Sequence, residues 1–167
     1  MLTSNIKFTN FIKKQKKKPI YDFKQLKKEN WIKKYKLLLS LTPNYKYSYT
    51  KAQIKNLKKK KFFRLIGMGG SALGAKAIYK FLQDKTKKKF VFIDNLKPNL
   101  SKYEKSNEAV NLIISKSGNT LETISNTSIL LNQNQKSKNI FITEKKNSYL
   151  LNLAHKIRAE VFEHKNY

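Results

Sequence analysis

The sequence predicts an α/β protein: a parallel sheet wound with helices, preceded by a helical N-terminal segment. Three observations carry this. Five short apolar runs recur through residues 62–164, stretches with helical spacing separate most of them, and four of the chain's five glycines crowd into one window directly after the first run. Short continuous apolar runs read as strands buried on both faces. Strand–helix–strand units of this length require right-handed crossovers in a parallel sheet.

Along the chain, residues 1–60 are lysine-dense and hold only two acidic residues, Asp22 and Glu29. Phe23, Leu26, Trp31, Ile32, Tyr35, Leu38 and Leu39 recur at near-helical spacing, with Asp22 as a cap and Thr42, Pro43 and Asn44 as the stop. Tyr45, Tyr47 and Tyr49 then alternate with Lys46 and Ser48. Three rings on one face suit base stacking, but a short extended segment laid on the core is the simpler reading. A second helix is expected over 51–59. The strands are FFRLIG (62–67), FVFIDN (90–95), VNLIIS (110–115), NIFIT (139–143) and AEVFEH (159–164). A helix over 72–83 gathers Leu73, Ala77, Ile78, Phe81 and Leu82 on one face. A second, over 121–132, is expected to turn Leu121, Ile124, Ser128 and Leu131 inward, and a third spans 147–157. The link 95–109, which contains Pro98, has no assignment. The change in texture divides the chain into an N-terminal segment, 1–60, and a domain, 61–167.

The 167 residues are 40 % apolar, with ten Phe, nine Tyr and one Trp, enough for one core and too many for a fully disordered chain. The absence of cysteine excludes a disulfide scaffold and a thiolate zinc site. The longest apolar stretches fall far short of the ~20 residues that cross a bilayer. The N-terminus lacks the apolar run of a secretory signal, so a cytoplasmic location is expected. The charge stands out: 37 Lys and Arg against 10 Asp and Glu give +27, where a small domain carries a magnitude of roughly 2–8. Such a field attracts nucleic acid, anionic membrane or phosphorylated metabolites. Yet only Arg64 and Arg158 are arginines, the residue suited to bidentate base and phosphate recognition. Lys, Asn and Ile are what A/T-rich codons specify, and base composition explains the excess more simply than a nucleic-acid surface. The runs at 13–18, 58–61 and 87–89 then read as solvated loops and helix ends.

Two loops carry the chemistry. GMGGSALG (67–74) follows the first strand and opens a helix. Its glycines let the backbone approach an anion closely, helix N–H groups point at the ligand, and Ser71 can cap the helix or bond a phosphate or sugar oxygen. A dinucleotide fold is a rival, because Asp94 ends the second strand where a ribose-binding acid would sit. That fingerprint needs glycine at 72, which is Ala72, and a nucleotide P-loop would need Gly-Lys-Ser/Thr. The second loop, SKSGNT (115–120), offers three hydroxyls, one ammonium, one glycine and a following helix. That set of donors suits a dianionic phosphate. Glu122 after it either closes a capping box with Asn119 or orients a catalytic group. In a doubly wound sheet both loops lie at the carboxyl ends of strands, where ligands bind.

At these residues a resemblance emerges. FFRLIGMGGSALG followed by VNLIISKSGNTLETISNT is similar to the glucose-6-phosphate isomerase family, over roughly residues 50–167 and including Thr143 and Glu144. Either motif alone would indicate only the wider sugar isomerase (SIS) group. The resemblance implies a three-layer αβα sandwich around a mostly parallel sheet of five strands. It implies that Gly70 and Ser71 contact the sugar and that Ser115, Lys116, Ser117, Gly118, Asn119 and Thr120 cradle the 6-phosphate; the family usually carries Thr where this chain has Asn119. It implies reversible isomerisation of glucose 6-phosphate to fructose 6-phosphate with no metal or organic cofactor, in a homodimer when full length. Glu122 matches a glutamate that supports the ring-opening histidine. The family's base glutamate, histidine, lysine and arginine fall in a part of the longer chain without counterpart here, so this chain alone is expected to be inactive. His155 and His164 match no catalytic position, and a stand-in base among Asp94, Glu122 and Glu144 is the weaker expectation. The competing classes are a non-catalytic SIS sensor of sugar phosphates, an isomerase of another phosphosugar, and a lysine-rich nucleic-acid binder. No specific nucleic acid and no membrane are expected as partners.

Overall fold

A computed structural model of the chain describes residues 36–43, 45–96, 108–133 and 137–165. The expectations for Asp22, for the helical spacing before residue 36, for the lysine run 13–18 and for most of the link around Pro98 lie outside the described residues. The chain forms two compact units, Met1–Tyr45 with Tyr167, and Lys46–Asn166. In the first, the segment Lys36–Leu41 is a 3₁₀ helix. Thr42 closes it, donating from both its N–H (3.0 Å) and its hydroxyl (2.7 Å) to the Leu39 carbonyl.

The second unit holds the sheet, and it includes helix α1, Lys51–Lys58, which lies before the point where the composition changes. Thr50 and Gln53 form a capping box at the start of α1. Gln53 Nε2 also donates to Glu160 Oε1 at 2.5 Å. The expected strands are all present: β1 Phe62–Ile66, β2 Lys89–Ile93, β3 Val110–Ile114, β4 Lys138–Thr143 and β5 Glu160–Glu163. They pair in parallel in the order β2-β1-β3-β4-β5. Among the described residues, three helices connect them: α2 Gly70–Leu82, α3 Leu121–Gln133 and α4 Tyr149–Lys156. The first crossover steps from β1 to β2 in one direction, whereas α3 and α4 step from β3 to β5 in the other. Right-handed connections of opposite direction lie on opposite faces of a sheet. Two cores follow. Ile66, Ile93, Ile113 and Phe141 pack with Leu130 of α3 and with Leu150 and Ala154 of α4. On the other face, Phe63, Val110, Ile140 and Phe162 pack with Leu57 of α1. Tyr79 of α2 sets its ring 5.1 Å from Phe90 and 5.9 Å from Phe92. The molecule is thus an αβα sandwich around a five-stranded parallel sheet.

Two local expectations need correction, and the face of α2 gains a direction. The inward face of α3 carries Thr123, Asn126, Thr127 and Leu130, while Leu121 is 71 % exposed. Apolar spacing misled here because two of the buried polar side chains find backbone partners: Thr127 bonds the Thr123 carbonyl (2.6 Å) and Asn126 the Asn95 carbonyl (2.8 Å). The apolar face expected on α2 is present, and it points outward. Leu73, Ile78, Phe81 and Leu82 are all exposed, and Ala72 and Tyr79 face the sheet instead. Finally, α2 begins two residues earlier than predicted, because Gly69 at φ +52° caps it. In the tyrosine segment, Tyr47 and Tyr49 are exposed and stack at 5.0 Å, Tyr49 leans on Phe162, and Ser48 Oγ donates to the Glu163 carbonyl at 2.6 Å. Among the lysines, Lys88 reaches the Lys58 and Lys60 carbonyls, both at 2.6 Å, and so closes the end of α1. No helix among the described residues is long and apolar enough to cross a membrane.

Candidate functional site

The sheet order reverses between β1 and β3, which are neighbours although β2 intervenes in sequence. Such a switch point opens a crevice at the carboxyl ends of the strands. Both candidate loops emerge there, the first from β1 and the second from β3. Their closeness is measured at Gly67. A Cβ on that residue would fall 2.9 Å from the Ile114 carbonyl and 3.2 Å from Ser71 Cβ. Glycine at 67 therefore lets β1 turn past the end of β3.

The first loop ends at Gly69, whose positive φ allows α2 to start without a side-chain cap. Gly70 and Ser71 occupy the first turn of α2, with Ser71 half-buried. Ser71 is therefore not the cap, the first of the two roles open to it in the sequence. Asp94, at the end of β2, is ion-paired with Lys76 of α2 at 2.7 Å.

The second loop is held from several sides. Ser115 is 2 % exposed, and its hydroxyl lies 3.0 Å from Thr120 Oγ1 and accepts from the Gly118 N–H at 3.2 Å. Ser117 Oγ accepts from Asn119 N–H at 3.2 Å. The Lys116 carbonyl accepts from Glu144 N–H (3.2 Å) and from the Thr143 hydroxyl (3.4 Å). Gly118, at φ +69°, passes its carbonyl to Leu150 N–H at 3.0 Å, stitching the loop to α4. Asn119 Oδ1 accepts from Tyr149 N–H at 2.9 Å. The capping box expected between Asn119 and Glu122 is therefore not formed: α3 starts at Leu121, and the Asn119 amide is engaged by α4. Glu122 lies half-buried in the first turn of α3. Lys116 presents its ammonium at the rim, half exposed, 3.8 Å from Glu144 Oε1.

Glu144 follows β4 and is 8 % exposed. Lys146 bonds its Oε2 at 2.7 Å. That hydrogen bond, with the charges of Lys146, Lys116 and His164, outweighs burial and holds the carboxyl below its ordinary range. It is a carboxylate fixed between lysines. His164 ends β5 with its N–H on the Thr143 carbonyl (2.8 Å), and His155 is exposed in the last turn of α4. Sequence reading missed Ser148 and Lys146. Ser148 caps α4 through Leu151 N–H (3.4 Å) and abuts Gly118. A serine just before an apolar helical run is the signal that could have found it. A cavity of about 310 Å³ lies by the edge strand β5, lined in part by Tyr47, Ser48, Lys145, Glu163 and Lys165, and includes none of the loop residues.

This five-stranded parallel sandwich, with two loops meeting at its switch point, has the SIS fold. Solved structures share it. A hypothetical protein from Thermus thermophilus superposes with a TM-score of 0.56 at 22 % identity, over 66 % of this chain and 29 % of that one. A phosphosugar isomerase from Bacteroides fragilis, described as involved in capsule formation, gives 0.50 at 19 % identity over 83 % and 72 %. In sequence, the chain is similar to glucose-6-phosphate isomerases: 35 % identical over 118 residues to that of Borrelia garinii, covering 64 % of this chain. It is 41 % identical over 88 residues to that of Methanocaldococcus jannaschii, covering 47 % of this chain. The chain spans 22 % of the length of each of these relatives. No family model matches the chain.

Proposed function

We propose that the chain binds a phosphorylated sugar across the β1–β3 rim and supplies the phosphosugar-binding part of a glucose-6-phosphate isomerase. The observation that carries this reading is the convergence at Gly67 of a glycine turn from β1 and a hydroxyl-rich turn from β3. The hydroxyls of Ser115, Ser117 and Thr120, the Lys116 ammonium and the N–H groups of Gly118 and Asn119 receive the phosphate. Charge-assisted hydrogen bonds of this kind are the strong ones, and the N-terminal end of α3 adds its positive dipole. Gly70 and Ser71 face the sugar, and Glu122 supports the group that opens the ring. The similarity to glucose-6-phosphate isomerases favours glucose 6-phosphate and fructose 6-phosphate over other phosphosugars.

Moving a proton between the first two carbons of the sugar needs a base within hydrogen-bond reach. Asp94 is tied to Lys76, and Glu144 to Lys116 and Lys146. Both carboxylates are held in ion pairs, which weakens each as a base. Glu122, the third carboxylate, keeps the supporting role given above, so on this reading the chain by itself binds the phosphosugar without turning it over. Calorimetric titration with glucose 6-phosphate, glucose and sulfate tests binding: heat with the first and none with glucose is the expected result. Equal response to all three, or to none, overturns it. A coupled assay from fructose 6-phosphate to NADPH tests turnover, and a rate in the usual enzyme range of roughly 1–10³ s⁻¹ would refute the inactive reading.

A further inference from the structure

We infer that Glu144 is a positioning residue of the phosphate site: its carboxylate holds the Lys116 ammonium at the rim, and Lys146, the counter-charge on the same carboxylate, leaves that ammonium able to bond the incoming phosphate. The inference rests on the reading of the loop after β3 as the phosphate site.

The backbone brings the two residues together. The last register pair of β3 and β4 is Ile114 with Ile142. The loops stay side by side beyond it. Ser115 N–H donates to the Ile142 carbonyl at 3.1 Å, and Glu144 N–H donates to the Lys116 carbonyl at 3.2 Å. The Thr143 hydroxyl adds a second bond to that carbonyl at 3.4 Å. Lys116 is thus fixed at its main chain by Glu144 and drawn at its tip by the same residue.

The two lysines share the carboxylate unequally. Glu144 is buried, whereas the side chains of Lys116 and Lys146 are each more than half exposed. Lys146 bonds Oε2 directly at 2.7 Å. Oε1 is buried and accepts no hydrogen bond among the described residues. The Lys116 ammonium stands 3.8 Å from it, beyond hydrogen-bond reach. A buried carboxylate oxygen without a hydrogen bond is costly, and its attraction for a cation across so short a gap is poorly screened. That attraction keeps the long Lys116 side chain near, while no N–H of Lys116 is committed to the carboxylate. Lys146 maintains the gap. Without Lys146, Lys116 alone would offset the carboxylate and close on it, and a phosphate would first have to break that bond. Without the carboxylate, the two ammonium groups lose their shared counter-charge and repel, and Lys116 spreads over its rotamers.

Calorimetric titration of the full chain with glucose 6-phosphate tests this. Glu144→Gln should bind roughly 3- to 10-fold more weakly than the parent, the cost of ordering one long side chain on binding. Lys146→Ala should weaken binding by a similar factor, and Lys146→Arg, which keeps a cation on Oε2, should restore it. The double variant Glu144→Gln/Lys146→Ala should bind no more weakly than Glu144→Gln alone, because Lys146 acts through the carboxylate. A merely structural role would not produce this coupling. Because Lys146 is exposed, its own two variants test the inference even where Glu144→Gln weakens the fold. Unchanged or tighter binding by a folded Glu144→Gln would overturn it. So would unchanged binding by Lys146→Ala, or a loss that persists undiminished beside Glu144→Gln, since Lys146 would then grip the phosphate itself. Lys116→Ala separates the two readings. If it loses binding while Glu144→Gln does not, the phosphate site stands and only the positioning role falls. If it binds like the parent, or the parent does not bind, both fall.

Discussion

Gly118 and Ser148 approach so closely that a methyl group on the glycine would fall 2.2 Å from the serine hydroxyl oxygen. The contact joins the turn after β3 to the N-terminus of α4. It shows why the second loop keeps one shape before any ligand arrives, and why this glycine differs from Gly70 or Gly74, which have open space around them.

Gly118→Ala should therefore be among the most damaging single-methyl changes in the chain. The positive φ alone costs roughly 1–2 kcal/mol for a residue with a side chain. The steric conflict includes Ser148 Cβ at 2.7 Å and Thr143 Oγ1 at 2.9 Å as well. Adding Ser148→Ala should not rescue it, since the Cβ, Thr143 and φ conflicts all remain. Denaturant unfolding checks this; a loss below ~0.5 kcal/mol would show that the loop yields.

The end of α4 offers the opposite experiment. Arg158 adopts φ +53°. Its N–H bonds the His155 carbonyl (3.1 Å), and Ala159 N–H bonds that of Ala154 (2.8 Å). These are the two bonds of a Schellman motif, in which glycine normally holds the left-handed position. Arg158→Gly should stabilise the fold by up to about 1 kcal/mol, the relieved strain exceeding the backbone entropy that glycine adds to the unfolded chain. A lowered midpoint in chemical unfolding would contradict this.

Glu144 gives the fold a dependence on pH. Its carboxyl titrates below the ordinary value of 4.5, chiefly through the hydrogen bond from Lys146. A carboxyl depressed on folding contributes stability that is fully present above the unfolded value and fades as pH falls through the folded one. Glu144→Gln should thus be less stable than the parent at neutral pH, with the gap closing below pH 4.5. A carbon NMR titration should show the Glu144 midpoint rising in Lys146→Ala. An unmoved midpoint would assign the depression to another charge.

Much of this fold was legible before any coordinates. The central strands announced themselves because they are covered on both faces and so read as continuous apolar runs, as in FFRLI and VNLII. The two loops were legible because glycine and hydroxyl residues cluster directly after β1 and β3. Side-chain direction was harder to read. The α3 pattern hid an inward row of Thr123, Asn126 and Thr127, of which Thr127 bonds the preceding turn and Asn126 a neighbouring backbone carbonyl. On α2, apolar spacing marked a face correctly but could not say whether the sheet lay against it. The role of Asn119 was also hidden, since its acceptor serves Tyr149, thirty residues away.

The central claim is that the loop after β3 holds the phosphate. Thermal unfolding with and without glucose 6-phosphate, for the parent chain, Lys116→Ala and Lys14→Ala, tests it most directly. A ligand-induced rise in midpoint is expected for the parent and for Lys14→Ala, and none for Lys116→Ala. Equal shifts in both variants would mean that the lysine field at large, and not this loop, attracts the anion.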